Sequence, residues 1–340
     1  MERAQIAALV VSSSPATNVK LVPSGPSDPV APIAGKSVLG WVVDAVLGAS
    51  VRRIAVLAAE PSAETRAELD LRADKAMIEL ISPSRDIADS VSFALERLGS
   101  ALTLRDSAHI LILPAEAPQI ETAELRQLIE THVSSGAAAT LLAAADVRDD
   151  GDQDPIVTRD SSGRVTSIAD VGAGPTGVLC VNAPVLIPAI RRIQSPRSAR
   201  SLPFVEIMHV LDEAGHRVNV IDRDEPLRTI SSATTRTPIE MELHDRVISG
   251  WLDRGTSMPD PRQVTIDATA TLGQGVRVLP GTVIEGTTVV GDGAVIGPNT
   301  HLVDALVGAG AVVAHSVVTN AEVQPHEQLE PFSFLGSAPA

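Results

Sequence analysis

From residue 266 the chain repeats every six residues, and no other feature limits its fold so tightly. Aliphatic side chains recur at Ile266, Leu272, Val278, Ile284, Val290, Ile296 and Leu302. Four places after each stand Ala270, Val276, Thr282, Thr288, Ala294, Thr300 and Leu306. Small or acidic residues follow several of the aliphatics: Asp267, Gly273, Glu285, Gly291 and Gly297. This is the hexapeptide rhythm of a left-handed parallel β-helix. Three hexapeptides close one triangular coil, with the aliphatic pointing into the prism and the small residues fitting its corners. After Leu302 the phase slips, and "LVGAGAVV" and "HSVVTNAEV" resume a looser version. The stretch "EPFSFLGSAPA" reads as a last coil and a frayed end.

The first 230 or so residues keep a different rhythm. "IAALVV" (6–11), "RIAVLAA" (53–59), "MIELI" (77–81), "HILIL" (109–113) and "AAATLLAA" (137–144) read as buried strands, as does the setting of Cys180, "TGVLCVNA". Between them lie helical patterns. Leu39, Val42, Val43 and Val46 recur at helical spacing in 37–49, and Leu125, Leu128, Ile129 and His132 do so in 121–133. Strand–helix alternation predicts a mostly parallel sheet with helices on both faces. Ligands on such sheets bind beyond the carboxyl ends of the strands, which puts "SSSPATN" (12–18) and "PAEAP" (114–118) at the rim of any pocket. A helix is expected over 238–254, with Ile239, Leu243, Val247 and Trp251 along one drifting stripe. "GTSMPDP" (255–261) ends it, because proline cannot continue a helix. The expected division is an α/β domain over 1–237, a linking helix and turn over 238–260, and the β-helix over 261–335.

Composition narrows the partners. With 340 residues the chain is long enough for two domains. A net charge of -15 repels phosphate backbones and anionic lipid, so nucleic acid and membrane surfaces are not expected partners. No apolar stretch reaches the length a membrane helix needs. The apolar start "IAALVV" is cut by "SSS" and lacks a basic lead, so it reads as a first strand and not a signal peptide. A single cysteine, Cys180, excludes an internal disulfide framework and suits a cytoplasmic location. Aromatics make up 2% of residues, with no tyrosine, which leaves no platform for stacking bases.

An α/β domain, a linking helix and a hexapeptide β-helix, in that order, resemble the bifunctional N-acetylglucosamine-1-phosphate uridyltransferase/glucosamine-1-phosphate acetyltransferase family. "PIAGKSVLGWVVDAV" (32–46) is similar to the family's T-L-A-G-K-P-M-x-x-x-V segment. "ILILPAEAPQIETAELRQLIETH" (110–132) is similar to its strand, metal-binding loop and helix. The hexapeptide stretch resembles the family's first coils almost repeat for repeat. The fold the resemblance implies is a Rossmann-like nucleotidyltransferase domain followed by a short left-handed β-helix that associates as a trimer.

The resemblance fails at the active-site motifs. Where the family has L-A-A-G-x-G-T-R-M, this chain has "VSSSPATNV" (11–19). Ser14 and Ala16 replace the loop glycines and Asn18 replaces the arginine, although Thr17 remains. Glycines let backbone N–H groups approach a phosphate, and arginine offers charge and a fork of donors. The family's following lysine falls near Asp28 or Pro29, in "SGPSDPVAP". Asp86, Ala88 and Asp89 stand where the base- and sugar-reading motif has Gly, Gly and His. Glu116 replaces the metal-binding aspartate. Asp170 takes the place of a glutamate, Pro175 and Gly177 fall on the sugar-binding N-A-G, and Ser231 takes the place of the second metal ligand, an asparagine. Nucleotidyl transfer needs cations around a polyanionic triphosphate, and this rim offers Asp28, Asp86, Asp89 and Glu116 instead. The family's acetyltransferase residues belong to coils beyond the one matched by "EPFSFLGSAPA", so that second activity is not expected from this chain.

Other constellations are sparse. The eight histidines show no H-x-x-x-H or Cys/His pair at metal spacing, so no zinc site is expected. "GHRVNVIDRD" (215–224) reads as a solvated strand and turn. "RRIQSPRSARS" (191–201) is the one basic cluster and reads as a surface loop. Glu116 is either a vestige or a residual metal contact. No cofactor is expected, with magnesium implied only if activity persists. The expectation is a non-catalytic homologue serving as scaffold or regulatory subunit, homotrimeric or mixed with an active homologue. The alternatives are an active pyrophosphorylase with a rebuilt site, making UDP-N-acetylglucosamine and pyrophosphate from UTP and N-acetylglucosamine 1-phosphate, and a module that senses a sugar nucleotide.

Overall fold

The computed structural model describes residues 5–12, 32–58, 63–82, 87–99, 108–144, 156–159, 165–169, 177–193, 204–223, 227–230 and 233–336. They belong to two compact units. One holds Met1–Ala31 and Ser37–Arg236, and the other holds Pro32–Lys36 and Thr237–Ala340.

In the first unit the described elements run β1 (Gln5–Val11), α1 (Val38–Gly48), β2 (Arg53–Leu57), α2 (Ala63–Asp70), β3 (Met77–Ile81), α3 (Ile87–Gly99), β4 (Ala108–Pro114), α4 (Thr122–Ser135), β5 (Ala139–Ala144), β6 (Ile156–Arg159), β7 (Val165–Ala169), β8 (Val178–Asn182), α5 (Ala183–Arg192), α6 (Phe204–Glu213) and β9 (Val218–Arg223). Seven strands form one sheet in the order β3-β2-β1-β4-β8-β5-β9. All neighbours are parallel except β8, which runs antiparallel to both β4 and β5. An apolar cluster covers each face. Every residue of the central strand β4 is buried, as its unbroken apolar run requires.

The helices begin and end where local chemistry dictates. Ser37 caps α1, its hydroxyl accepting from Gly40 N–H at 2.9 Å, while Leu39, Val42, Val43 and Val46 face the core. A capping box between Glu121 and Glu124 opens α4, and Gly136 closes it in the left-handed conformation at φ 64°. The stretch 77–81 differs from expectation. As an edge strand, β3 buries Ile81 but leaves Met77 45% exposed, because it has a sheet neighbour on one side only.

A long helix, α7 (Ala233–Asp253), starts five residues earlier than the expected 238 and carries Pro238 inside it. Proline there removes one ladder bond near the helix start, a smaller loss than at mid-helix. Ile239, Leu243 and Trp251 are buried along its stripe, and Val247 packs against the same cluster.

The second unit is the β-helix. Its three faces are β10 (Val264–Ile266), β13 (Thr282–Glu285), β16 (His301–Val303), β19 (Val317–Thr319) and β21 (Phe334–Gly336); β11 (Thr271–Leu272), β14 (Val289–Val290), β17 (Leu306–Val307) and β20 (Glu322–Val323); and β12 (Arg277–Val278), β15 (Val295–Ile296) and β18 (Val312–Val313). All pairs are parallel. The inward aliphatics stack coil on coil: Ile266 on Ile284 on Leu302 on Val318, Leu272 on Val290 on Val307 on Val323, and Val278 on Ile296 on Val313.

This register explains the lost phase. One coil takes eighteen residues from Ile284 to Leu302, but the next takes sixteen from Leu302 to Val318. Single residues are missing at two corners, between Leu302 and Val307 and between Val313 and Val318. Asp304 (φ 47°) and His315 (φ 51°) turn those shortened corners in the left-handed conformation, where Asp and His are enriched over other non-glycine residues. Threonine is accepted at buried inner corners because its hydroxyl donates to the carbonyl three residues back. Thr282 reaches Leu279 O and Thr288 reaches Glu285 O, each at 2.6 Å.

Candidate functional site

The sheet order fixes where a ligand site belongs. From β1 the chain passes outward to β2 and β3, then returns to place β4 on the other side of β1. The carboxyl ends of β1 and β4 therefore flank the point where strand order reverses, the usual crevice for ligands on such sheets. Two described polar residues meet there. Ser12 follows β1, and Glu116 lies in the turn after β4. The Ser12 hydroxyl donates to Glu116 Oε1 at 2.7 Å. Their positions follow from the ladder: Val11 pairs with Pro114, and Ala115 N–H continues the ladder to Val11 O at 2.9 Å.

Glu116 is 3% exposed. Its carbonyl accepts from Ile230 N–H at 3.0 Å, and Gln119, also buried, accepts from Arg228 N–H at 3.2 Å. Residues 227–230 thus close over the 115–121 turn through one bond to a backbone carbonyl and one to the Gln119 side chain. Burial of a carboxylate requires hydrogen-bond partners, and Ser12 is one. The sequence reading placed 12–18 and 114–118 together at the rim and singled out Glu116, but it did not name Ser12 as its partner, because the parallel pairing of β1 with β4 sets that register. The signal available in the sequence was Ser12 directly after an apolar strand.

The remaining residues of the expected site divide sharply. Ser14, Ala16, Thr17, Asn18, Asp28, Asp86, Asp170, Pro175 and Ser231 lie outside the described residues, as does most of the basic stretch 191–201. Gly177 is described and buried, immediately before β8. A Cβ there would stand 3.1 Å from the Leu142 carbonyl and 3.0 Å from Leu141 Cδ1, so close approach to β5 accounts for the glycine. Asp89 lies on α3, 3.7 Å from Arg191 of α5, with both side chains largely exposed. The first arginine of the basic stretch thus faces one of the rim carboxylates, in a solvated pair that contributes little energy.

Glu116 is engaged by a hydroxyl, and among the described residues no three His, Cys, Asp or Glu side chains converge to hold a metal ion.

The A-G-K segment also has a local explanation. Ile33 and Lys36 bridge across a tight turn in which Ala34 (φ 48°) and Gly35 (φ 80°) are left-handed. The Ala34 carbonyl accepts from Ala268 N–H at 2.8 Å, and a Cβ on Gly35 would overlap Asp267. This turn is part of the β-helix unit and packs on its first coil. Its glycine is required by that contact.

Comparison with known proteins supplies relatives. The bacterial transferase hexapeptide family (six repeats) matches residues 269–303. The bifunctional protein GlmU of Streptomyces avermitilis is 28% identical over 89% of this chain. The proteins of the same name from Streptomyces coelicolor and Corynebacterium aurimucosum are 26% and 25% identical, over 89% and 97% of the chain. The chain spans about two thirds of the length of these relatives: 64%, 64% and 69% respectively. Among the described residues no helix is long and apolar enough to cross a membrane.

Proposed function

This chain is a divergent relative of the bifunctional GlmU proteins, and from that premise we propose that it is a non-catalytic homologue, serving as a scaffold or regulatory subunit. The observation that carries this reading is the loop after β1. Ser14, Ala16 and Asn18 stand where phosphate-cradling glycines and an arginine would be needed, and no lysine lies between Lys20 and Lys36. Losing one preorganised donor costs about a hundred- to a thousandfold in rate, and members of one catalytic unit fail together. The Ser12–Glu116 bond supports the same reading, since it engages from within the protein the carboxylate that replaces the family's metal-binding aspartate.

The test is incubation with UTP, magnesium and N-acetylglucosamine 1-phosphate. Pyrophosphate should not rise above blank, and steady turnover overturns the proposal. The combined substitution Ser14→Gly, Ala16→Gly and Asn18→Arg is expected to restore no activity. Calorimetry with UDP-N-acetylglucosamine separates a sensing module, which binds without turnover, from a scaffold.

Association is proposed through the β-helix, as a homotrimer or with an active homologue. On the β11-β14-β17-β20 face, Val289 and Leu306 are register neighbours that point outward, 41% and 47% exposed. Adjacent outward aliphatics on a flat parallel face favour burial against another copy. Light scattering tests it: Leu306→Lys should lower the molar mass to that of a single chain. A cytoplasmic location is proposed, in keeping with the chain's single cysteine, Cys180, which is free and buried.

A further inference from the structure

A buried polar cluster lies at the other end of the central strands. His109 is the second residue of β4, Thr140 the second of β5, Asn182 the last of β8, and His132 sits near the end of α4. His109 Nδ1 is 3.1 Å from His132 Nε2 and 2.9 Å from Asn182 Oδ1. His132 Nε2 is 3.0 Å from the same oxygen, and His132 Nδ1 is 3.0 Å from Thr140 Oγ1. His132 is fully buried and His109 is 9% exposed. The two rings meet edge to face at 5.0 Å. His109 stands opposite Ile6, five residues down the ladder from the Val11–Pro114 pair, which is about 16 Å at strand rise.

Neutral rings fit this geometry: His132 Nε2–H is shared between His109 Nδ1 and Asn182 Oδ1 as acceptors, while the Thr140 hydroxyl donates to His132 Nδ1. A proton added to His132 reverses the Thr140 bond and puts a charge where, among the described residues, no carboxylate answers it. Of these, β1 presents Ile6, β5 presents Thr140 and Leu142, and β8 presents Cys180 beside Asn182, its thiol held neutral by burial. On β9, Asn219 stands in register with Thr140. At the near end of α4, Arg217 donates to Ser135 O at 3.1 Å, adding a cation. At the far end, Glu124 is engaged by Arg223 at 2.6 Å, and α1 meets α4 there through Thr122 and Arg126. The negative end of the α4 macrodipole and the Asn182 bond favour a charge on His132.

We propose that His109, His132 and Asn182 form a proton-operated latch that pins the C-terminal half of α4 to the sheet when neutral and releases it on acidification. Burial, and next the neighbouring His109, lower His132 from 6.5 to about 4, against the Asn182 bond. Burial lowers His109 as well. Lowered folded-state values mean that the open form binds more protons. The latch is therefore at full strength above about pH 6.5 and is lost as pH falls toward 4. At pH 5 linkage favours the open form about 20-fold relative to neutrality. Since α4 follows directly on the 115–121 turn, release at one end loosens the element behind Glu116. The latch does not depend on whether the β1–β4 crevice has any activity.

Hydrogen exchange on the full chain tests the proposal. After correction for intrinsic rates, amides in the last two turns of α4 should lose about 30-fold of their protection between pH 7.5 and pH 5. In His132→Gln, which stays neutral, that dependence should flatten. Protection that ignores pH in the wild type, or an unchanged pH dependence in His132→Gln, overturns the latch. Should the variant fail to fold, the imidazole proton resonances of the wild type decide instead. A His132 midpoint well below 6.5 supports the latch, and an ordinary midpoint sinks it.

Discussion

Replacing Gly291 by alanine probes the spacing between coils. Gly291 lies at a corner of the prism, and its backbone conformation is one any residue adopts. Space forbids a side chain instead. A Cβ there would stand 2.5 Å from Ala309 N and 2.9 Å from both Ala309 Cα and Gly308 C. All three are backbone atoms of the next coil, so no rotamer change relieves the overlap. Moving the coils apart strains Gly291 N–H to Val307 O and Gly310 N–H to Asp292 O, both at 2.8 Å. Overpacking of this kind costs about 1–3 kcal/mol, and overlap with the rigid backbone of the next coil puts Gly291→Ala near the upper end. Gly293, two residues on, makes the matched control. It has open space for a Cβ but sits at φ 68°, so alanine there incurs only the left-handed penalty of about 1–2 kcal/mol. Urea unfolding in a Trp41→Phe background, followed by fluorescence of Trp251 against the β-helix core, reads this unit alone. Gly291→Ala should be the more damaging change. A wild-type midpoint for Gly291→Ala, or a greater loss for Gly293→Ala, would refute close backbone approach as the reason for the corner glycines.

Glu116→Ala leaves the Ser12 hydroxyl without its acceptor and should cost about 1–2 kcal/mol in a thermal or chemical melt, whereas Glu116→Gln, which keeps an acceptor, should stay within about 0.5 kcal/mol. Arg72 donates to Asp44 at 2.6 Å and to Glu68 at 2.9 Å, tying the end of α2 to α1; Arg72→Met should destabilise by about 2 kcal/mol, less than a fully buried pair because Asp44 is 31% exposed. Cys180 is buried, and burial raises its thiol above the ordinary value; the native chain should therefore resist a disulfide-exchange reagent at pH 8 and react with one equivalent once unfolded in urea.

Local pattern carried much of the fold. The hexad aliphatics from Ile266 to Leu302 appear as three stacked inner columns, and the 3.6-residue stripes of α1 and α4 bury the expected side chains. Each side chain's environment is set mainly by its own strand or helix, so periodicity suffices. The shortened corners were legible only as noise. Their cause, two missing residues turned by Asp304 and His315, emerges from the inter-coil register. The edge position of β3, the reversed direction of β8 and the early start of α7 were equally hidden, since strand order and pairing are long-range choices.

The candidate site divides along the same line. By itself the sequence determined that serine, alanine and asparagine stand at positions 14, 16 and 18, because the identity of a residue is a local fact. Tertiary structure alone decided which residues meet. Parallel pairing of β1 with β4 set Ser12 against Glu116, docking of the 32–36 turn on the first coil explained Gly35, and packing of α4 on β4, β5 and β8 joined His109 to His132 across 23 residues. Those encounters depend on contacts distant along the chain, and no local periodicity encodes them.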